Sequence, residues 1–418
     1  MRDGNCAEVC VAATGMDLLA LLQPLALPDF LSRHWEREPL LLTAKHDLLD
    51  RLLGEGDLES LIAWHGRSGQ PPFSVAKNSA VGPRHTSRPL PDARRAYDAG
   101  ETIFVPEIHL RWGPFADFCR MLETAFRHPV GATLVFSPPN AQGLTPHFDA
   151  AAVFAMQISG EKTWKVARPV REKPLFGDPL TDLPALPEPH VDYRLTPGDV
   201  LYVPMGFPHI ALSGAAPSVH VSVYINCIRA RDMIARALAL AADADVAFRQ
   251  PLAPGLLGST DGATAIAALF RDLADRLASG FDAEATHGAL VHEMLGQMHP
   301  HPAARFNWGN AVLDSDQPLR HAPGLLPFVS QSDGAAVIAY PGGQTRGPAD
   351  IFRTLVFVAE TPRFRVRDLP GLDAAGQRVL AERLLSEGVL VPDTDHGPDF
   401  GGDLRAAAPE HAALVPSV

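Results

Sequence analysis

The sequence predicts an α+β protein of two or three domains, built around a small β-barrel or sandwich. Three observations carry this. The chain has 418 residues, more than one ordinary core encloses. Between about residues 131 and 227, apolar residues recur at period two in short runs separated by Gly, Pro, Asn and Asp. On either side of that stretch the period changes to three and four, as helices require.

Within 16–65, the runs MDLLALL, PDFLSRHWEREPLLL and HDLLDRLL read as helices with loops, in which Phe30, Leu31, Trp35 and Leu40 line a buried surface. Residues 78–100 are polar, basic and turn-rich. They read as one long loop, of the kind that forms lids and binding loops. PFADFCRMLETAFRH (114–128) puts Phe115, Phe118, Met121, Leu122 and Phe126 on a helical stripe. ATLVF, AVFAMQI, TWKVAR, VDYRLT, DVLYVP and HVSVYIN then follow as strands. No helix intervenes, which excludes a doubly wound sheet. After Cys227 three helical patterns read as a bundle or dimerisation layer. In the last part FRVRDL, DAAGQRVLAERLLSEG and VLVP have the look of a winged-helix unit. The division expected is 1–227, 228–300 and 301–418.

Composition narrows the function. The net charge is −12, and no Lys/Arg-rich run exists to grip nucleic acid. Residues 301–418 hold ten Arg, no Lys and fourteen Asp and Glu, a net of −4, so a winged helix there is expected to contact protein rather than DNA. The four cysteines, Cys6, Cys10, Cys119 and Cys227, are too few for a disulfide framework. Cys6 and Cys10 are spaced for one helix face, but near a chain end they read as incidental thiols. MRDGNCAEVC lacks the basic start of a signal peptide, and no run of about 18 apolar residues exists to span a membrane. The expected location is the cytoplasm.

The chemistry concentrates in SPPNAQGLTPHFDAAAVF and PGDVLYVPMGFPHIA. On an extended strand, His147 and Asp149 project from the same face and reach one metal. His209 lies just past a later strand, after a Pro-Gly-Asp turn and a Gly206 turn, and begins in an extended loop after Pro208. Two histidines and one carboxylate on one face of a metal leave adjacent positions open, the arrangement of non-haem Fe(II) oxygenases that bind a 2-oxo acid and O2. Thiolates for a structural zinc are absent from these runs.

These two runs, with the hairpin ISGEKTWKV between them, resemble the cupin-type Jumonji C (JmjC) proteins of the ribosomal oxygenase group. The resemblance covers most of the chain. It implies a double-stranded β-helix (cupin or jelly-roll) JmjC domain, then a helical dimerisation region, a winged-helix-like C-terminal domain and a homodimer. It implies Fe(II)- and 2-oxoglutarate-dependent hydroxylation of a side chain in a protein or peptide, ribosomal or biosynthetic, with succinate and CO2 as co-products. His147, Asp149 and His209 are then the iron ligands. Lys162, which alone would read as a solvated hairpin lysine, becomes the partner of the far carboxylate of 2-oxoglutarate. Asn140, Gln142 and Gly143 shape the approach to the metal, mainly as turn structure.

The chain departs from the family at named positions. Thr133 and Val135 stand where relatives often carry Asn and Tyr, and Val135 has no donor for a carboxylate. That leaves Thr133, with Ser222 and Tyr224 on the strand face of His220, to complete the co-substrate pocket or to pack the barrel. Ala150 and Ala151 replace an acidic residue often found after the HxD pair. These departures bear on the substrate rather than on the iron. An N-methyl-lysine or -arginine demethylase would share the first step and release formaldehyde. A non-catalytic binding protein on the same scaffold would fail to bind Fe(II).

Overall fold

The computed structural model describes residues 16–54, 57, 73–76, 86–88, 90–175, 177–178, 183–301, 313–332 and 334–393. The first part contains α1 (Met16–Leu22), α2 (Leu27–Arg33), β1 (Leu40–Leu42), α3 (His46–Leu52), β2 (Phe73–Ala76), β3 (Thr86–Arg88), α4 (Leu90–Asp98), β4 (Thr102–Val105) and α5 (Gly113–Phe126). Pro114 occupies the first turn of α5, where its missing N–H leaves no bond unmade. The predicted stripe turns inward: Phe115, Phe118 and Leu122 are buried, and Met121 and Phe126 pack at their edge.

Then come β5 (Val130–Ser137), β6 (Ala152–Ser159), β7 (Lys162–Ala167), β8 (His190–Leu195), β9 (Val200–Val203), β10 (His209–Ser213) and β11 (Ser218–Ile225). They form two antiparallel sheets. The larger has the order β1-β9-β6-β11-β5-β4-β2-β3, and the smaller β10-β7-β8. Period-two alternation sorts their side chains. Ala132, Leu134 and Phe136 of β5, with Val221, Val223 and Ile225 of β11, join α1–α3 and α5 in the main core. Ala155, Leu201 and Val203 from one sheet meet Trp164, Val166 and Leu195 from the other in an inner cluster. The result is the predicted double-stranded β-helix.

Three expectations need correction. The strand-rich part begins well before residue 131, because β1, β2, β3 and β4 all join the larger sheet. Runs of three or four residues are too short to display a period, and the sheet, not local propensity, fixes them. The stretch 78–100 is not one loop. Thr86–Arg88 pairs with β2, and α4 buries Ala93 and Ala96. Two small alanines among polar residues make a weak stripe, which composition hides. Third, His209 opens strand β10, paired with Val166 of β7, rather than leading an extended loop.

Beyond the sheets lie α6 (Ala230–Ala244), α7 (Gly262–Ser279) and α8 (Ala283–Gln297) at the predicted positions. The last part comprises β12 (Pro318–His321), β13 (Phe328–Ser332), β14 (Ala335–Tyr340), β15 (Gly343–Pro348), α9 (Phe352–Glu360), β16 (Arg363–Arg365), α10 (Ala374–Ser386) and β17 (Leu390–Pro392). Its sheets have the orders β16-β12-β17 and β13-β14-β15, around a core that includes Leu319, Ile338, Leu355, Val358 and Leu384. Met294, Leu295 and Met298 at the end of α8 seat against Ala339. Among the described residues no helix is long and apolar enough to cross a membrane. Cys6 and Cys10 lie outside the described residues.

Candidate metal and co-substrate site

The inward positions of the two sheets enclose a cavity of about 360 Å³. His147, Asp149 and His209 line it together with Lys162, Thr133, Ser222 and Tyr224. These seven residues, with Gly143, therefore face one space, whereas Asn140 and Gln142 do not line it. Sequence reasoning missed three more lining residues that matter: Thr102, Ser137 and Trp164.

His147 and Asp149 are not on a regular strand. They follow β5 on an irregular extended segment, joined to β10 by two isolated antiparallel bridges, Gln142 to Leu212 and His147 to His209. The physical reason is Pro146, which removes a ladder donor just before the first ligand. The imidazole centroids lie 4.4 Å apart. His147 Nδ1–H donates to the Thr145 carbonyl at 2.8 Å, and His209 Nδ1–H to the Phe207 carbonyl at 3.0 Å. A carbonyl only accepts, so each ring carries its proton on Nδ1 and offers a bare Nε2. His209 Nε2 stands 3.7 Å from Asp149 Oδ2. The three side chains each offer a ligand atom within 4.8 Å of the others, the only such His/Cys/Asp/Glu group among the described residues. Burial, then the neighbouring His147, push the His209 imidazole down to about 4, with Asp149 opposing. It is therefore the neutral base that a metal ligand must be.

Lys162 starts β7 and points between the sheets, only 3% exposed. Its Nζ donates to Ser137 Oγ at 2.8 Å and to His220 Nδ1 at 3.0 Å. No described carboxylate lies within ion-pair reach of it. Burial lowers its pKa to about 7. Lys162 is thus no surface hairpin lysine, but a buried, desolvated amine. Thr133, Ser222 and Tyr224 line the cavity without bonding to it among the described residues. The hydroxyl missing at Val135 is supplied by Ser137, two residues on along the same face of β5. Alternation from Thr133 would have found it.

A double-stranded β-helix with two histidines and one carboxylate converging in it is the scaffold and donor set of the non-haem, 2-oxo-acid-dependent oxygenases. The comparisons agree. Residues 109–233 match the family model of the JmjC domain, and this part of the chain is a JmjC domain. Over 208 residues the sequence is 33% identical to "Ribosomal oxygenase 1" of Rattus norvegicus, covering 46% of this chain and 33% of that protein. It is 27% identical over 213 residues to the "Bifunctional lysine-specific demethylase and histidyl-hydroxylase NO66" of Drosophila pseudoobscura pseudoobscura, covering 49% of this chain and 22% of that one. The chain thus spans about a third or less of the length of these curated relatives. Among solved structures, YcfD, a ribosomal oxygenase from Escherichia coli in complex with cobalt and 2-oxoglutarate, superposes with a TM-score of 0.55. The match covers 89% of this chain and 99% of that one, and at 17% identity it shows a shared fold.

Proposed function

We propose that this chain is an Fe(II)- and 2-oxoglutarate-dependent oxygenase that hydroxylates a side chain of a protein. The observation that carries the reading is the convergence, in one cavity, of the His147–Asp149–His209 donor set with a buried Lys162 that has no carboxylate partner among the described residues. The donors fit a divalent iron: two neutral imidazoles and one carboxylate, with open positions toward the cavity. The lysine fits a dicarboxylic 2-oxo acid whose keto-acid end binds the metal. When bound, iron and 2-oxoglutarate supply the oxidation: O2, 2-oxoglutarate and a C–H bond give an alcohol, succinate and CO2.

The chain's own residues do the rest. Thr145 and Phe207 carbonyls fix the ligand rings. Lys162 neutralises the far carboxylate of the co-substrate. Phe104, Val153 and Trp164 give the cavity apolar walls. No side chain is needed as acid or base. The names of the relatives put ribosomal proteins first among candidate substrates. Incubation with Fe(II), 2-oxoglutarate and ribosomal-protein peptides tests the reading: one oxygen atom gained per succinate formed supports it, and no succinate under any substrate refutes it. The second reading is demethylation, which the name of one relative includes; formaldehyde release from methylated peptides separates the two.

The assembly we propose is a homodimer through 228–300. Met233, Ile234 and Leu238 of α6 are exposed, as are Ile266, Leu269 and Phe270 of α7. So large an apolar surface on adjacent helices calls for a cover. We further propose the three-part division 1–227, 228–300 and 301–418, in which α9 and α10 with the β16-β12-β17 sheet form a winged-helix-like unit for protein contact.

A further inference from the structure

We propose that His220 is a positioning residue for the co-substrate. It accepts a hydrogen bond from Lys162, and so aims that ammonium's remaining N–H, beside the free hydroxyl proton of Ser137, at the far carboxylate of the 2-oxo acid. This rests on the co-substrate reading above and adds to it the geometry of the cradle.

Counting donors carries the argument. An ammonium has three N–H donors. Among the described residues two are engaged, on Ser137 Oγ at 2.8 Å and on His220 Nδ1 at 3.0 Å, which leaves one. Ser137 Oγ also accepts from Thr102 Oγ1 at 3.2 Å. Both of its lone pairs are then occupied and its single proton is unspent. Thr102, Ser137, Lys162 and His220 are all buried, and all four line the cavity of the metal donors. Two unspent donors side by side match the two acceptor-only oxygens of one carboxylate.

His220 does its part only as a neutral imidazole with its proton on Nε2, since Nδ1 must accept. Burial and the adjacent Lys162 both hold it in that form, well below the ordinary histidine range. The sheets set the relation. On β11, His220 pairs with Val135 and Ser218 with Ser137, which puts His220 one inward position from Ser137 across the strand pair. The Trp164 ring stands edge-on to His220 at 5.5 Å and 5.4 Å from the ring of His209. It thereby limits how far the His220 imidazole can tilt. Without the acceptor at Nδ1, Lys162 would spend a second N–H elsewhere and lose its aim.

The test compares two ligands on the full-length chain loaded with Mn(II), without O2, by calorimetry. Pyruvate keeps the 2-oxo acid that meets the metal but lacks the far carboxylate of 2-oxoglutarate. His220→Leu is expected to weaken 2-oxoglutarate by roughly tenfold to a hundredfold and to leave pyruvate unchanged. His220→Gln, whose Oε1 accepts from Lys162, should recover most of the loss. Should the leucine variant not fold, Ser137→Ala is expected to show the same selective loss. Equal weakening of both ligands, or 2-oxoglutarate binding unchanged in the His220 and Ser137 variants, overturns the positioning role. Lys162→Met separates this from the reading beneath it. If that variant binds 2-oxoglutarate as the parent does, the co-substrate assignment itself falls. If it alone loses binding, only the role of His220 falls.

Discussion

The backbones of His147 and His209 exchange two hydrogen bonds, His147 N–H to His209 O at 3.2 Å and His209 N–H to His147 O at 2.7 Å. Two ligands far apart in sequence are thus locked opposite each other by main chain alone.

Single replacement of His147, Asp149 or His209 by Ala should therefore leave the secondary structure and the bridge intact. Divalent metal affinity and succinate production should fall by roughly a hundredfold or more. Circular dichroism beside metal titration checks this. Unchanged succinate production in all three variants would remove the donor set from consideration.

Lys162 makes a stability prediction with a definite sign. Its folded pKa, about 7, lies below the ordinary 10.5. Its contribution to stability is fully present above 10.5 and is lost as pH falls through 7. A protein at about pH 7 or below therefore carries a buried charge. Lys162→Met should raise stability there by on the order of a few kcal/mol, less whatever the orphaned Ser137 and His220 cost, and the gain should shrink toward pH 10. Chemical denaturation across that range reads it. A variant less stable than its parent at every pH would show that the lysine is not strained in the ligand-free site.

A second buried charge ties the JmjC core to the following parts. Arg120 Nη1 lies 3.2 Å from Glu123 Oε2, both nearly inaccessible, and Nη2 donates to the His299 carbonyl at 2.5 Å. Burial raises Glu123 to about 7 from 4.5, with Arg120 opposing, so its contribution is largest below 4.5 and is lost as pH rises through 7. Nearby His109 is lowered to about 4 from 6.5, chiefly by burial, so its contribution is present above 6.5 and is lost as pH falls through 4. Removing Arg120 takes away the group that holds Glu123 down, so Glu123 keeps its proton to still higher pH; Arg120→Met should cost on the order of 3–5 kcal/mol at alkaline pH, where Glu123 is left charged and alone, and less near pH 5. The double variant Arg120→Met, Glu123→Leu should recover most of that loss. An additive double variant would deny the coupling.

Gly160 sits at φ +65°, and a Cβ there would collide with the Pro217 carbonyl oxygen. Gly160→Ala should cost at least about 1–3 kcal/mol. Because Gly160 sets the turn into β7, it should also weaken 2-oxoglutarate binding through Lys162. A variant with parental melting and binding would contradict the argument.

The proposed dimer is open to a mass measurement. Phe270 is 69% exposed and Leu257 80%. A homodimer at micromolar concentration is expected, with Phe270→Asp shifting it to monomer. A parent that is already monomeric would end the proposal.

Much of this was legible in the sequence, for local reasons. The α5 stripe and the strands after residue 130 declare their period, and His147, Asp149 and His209 sit in short runs with their own turn residues, whereas Lys162 was singled out only through the family resemblance. What was illegible depends on register between distant strands. Ser137, His220 and Thr102 meet around Lys162 only because β4, β5, β7 and β11 are aligned as they are. The pairing of Arg120 with the His299 carbonyl likewise needs α5 and the end of α8 to meet. The strands at 40–42, 73–76 and 86–88 were hidden because three or four residues show no period, and the sheet that stabilises them lies elsewhere in the chain.

On the proposed reading, this cavity couples 2-oxoglutarate turnover to oxygen insertion. The most direct measurement is succinate formed from 2-oxoglutarate by the full-length chain with Fe(II) and O2, alongside mass spectrometry of ribosomal-protein peptides. The expected result is succinate that requires Fe(II), increases with a peptide that gains one oxygen atom, and disappears in Asp149→Ala. Succinate at the same level in Asp149→Ala, or a chain that binds neither Fe(II) nor 2-oxoglutarate, would contradict it.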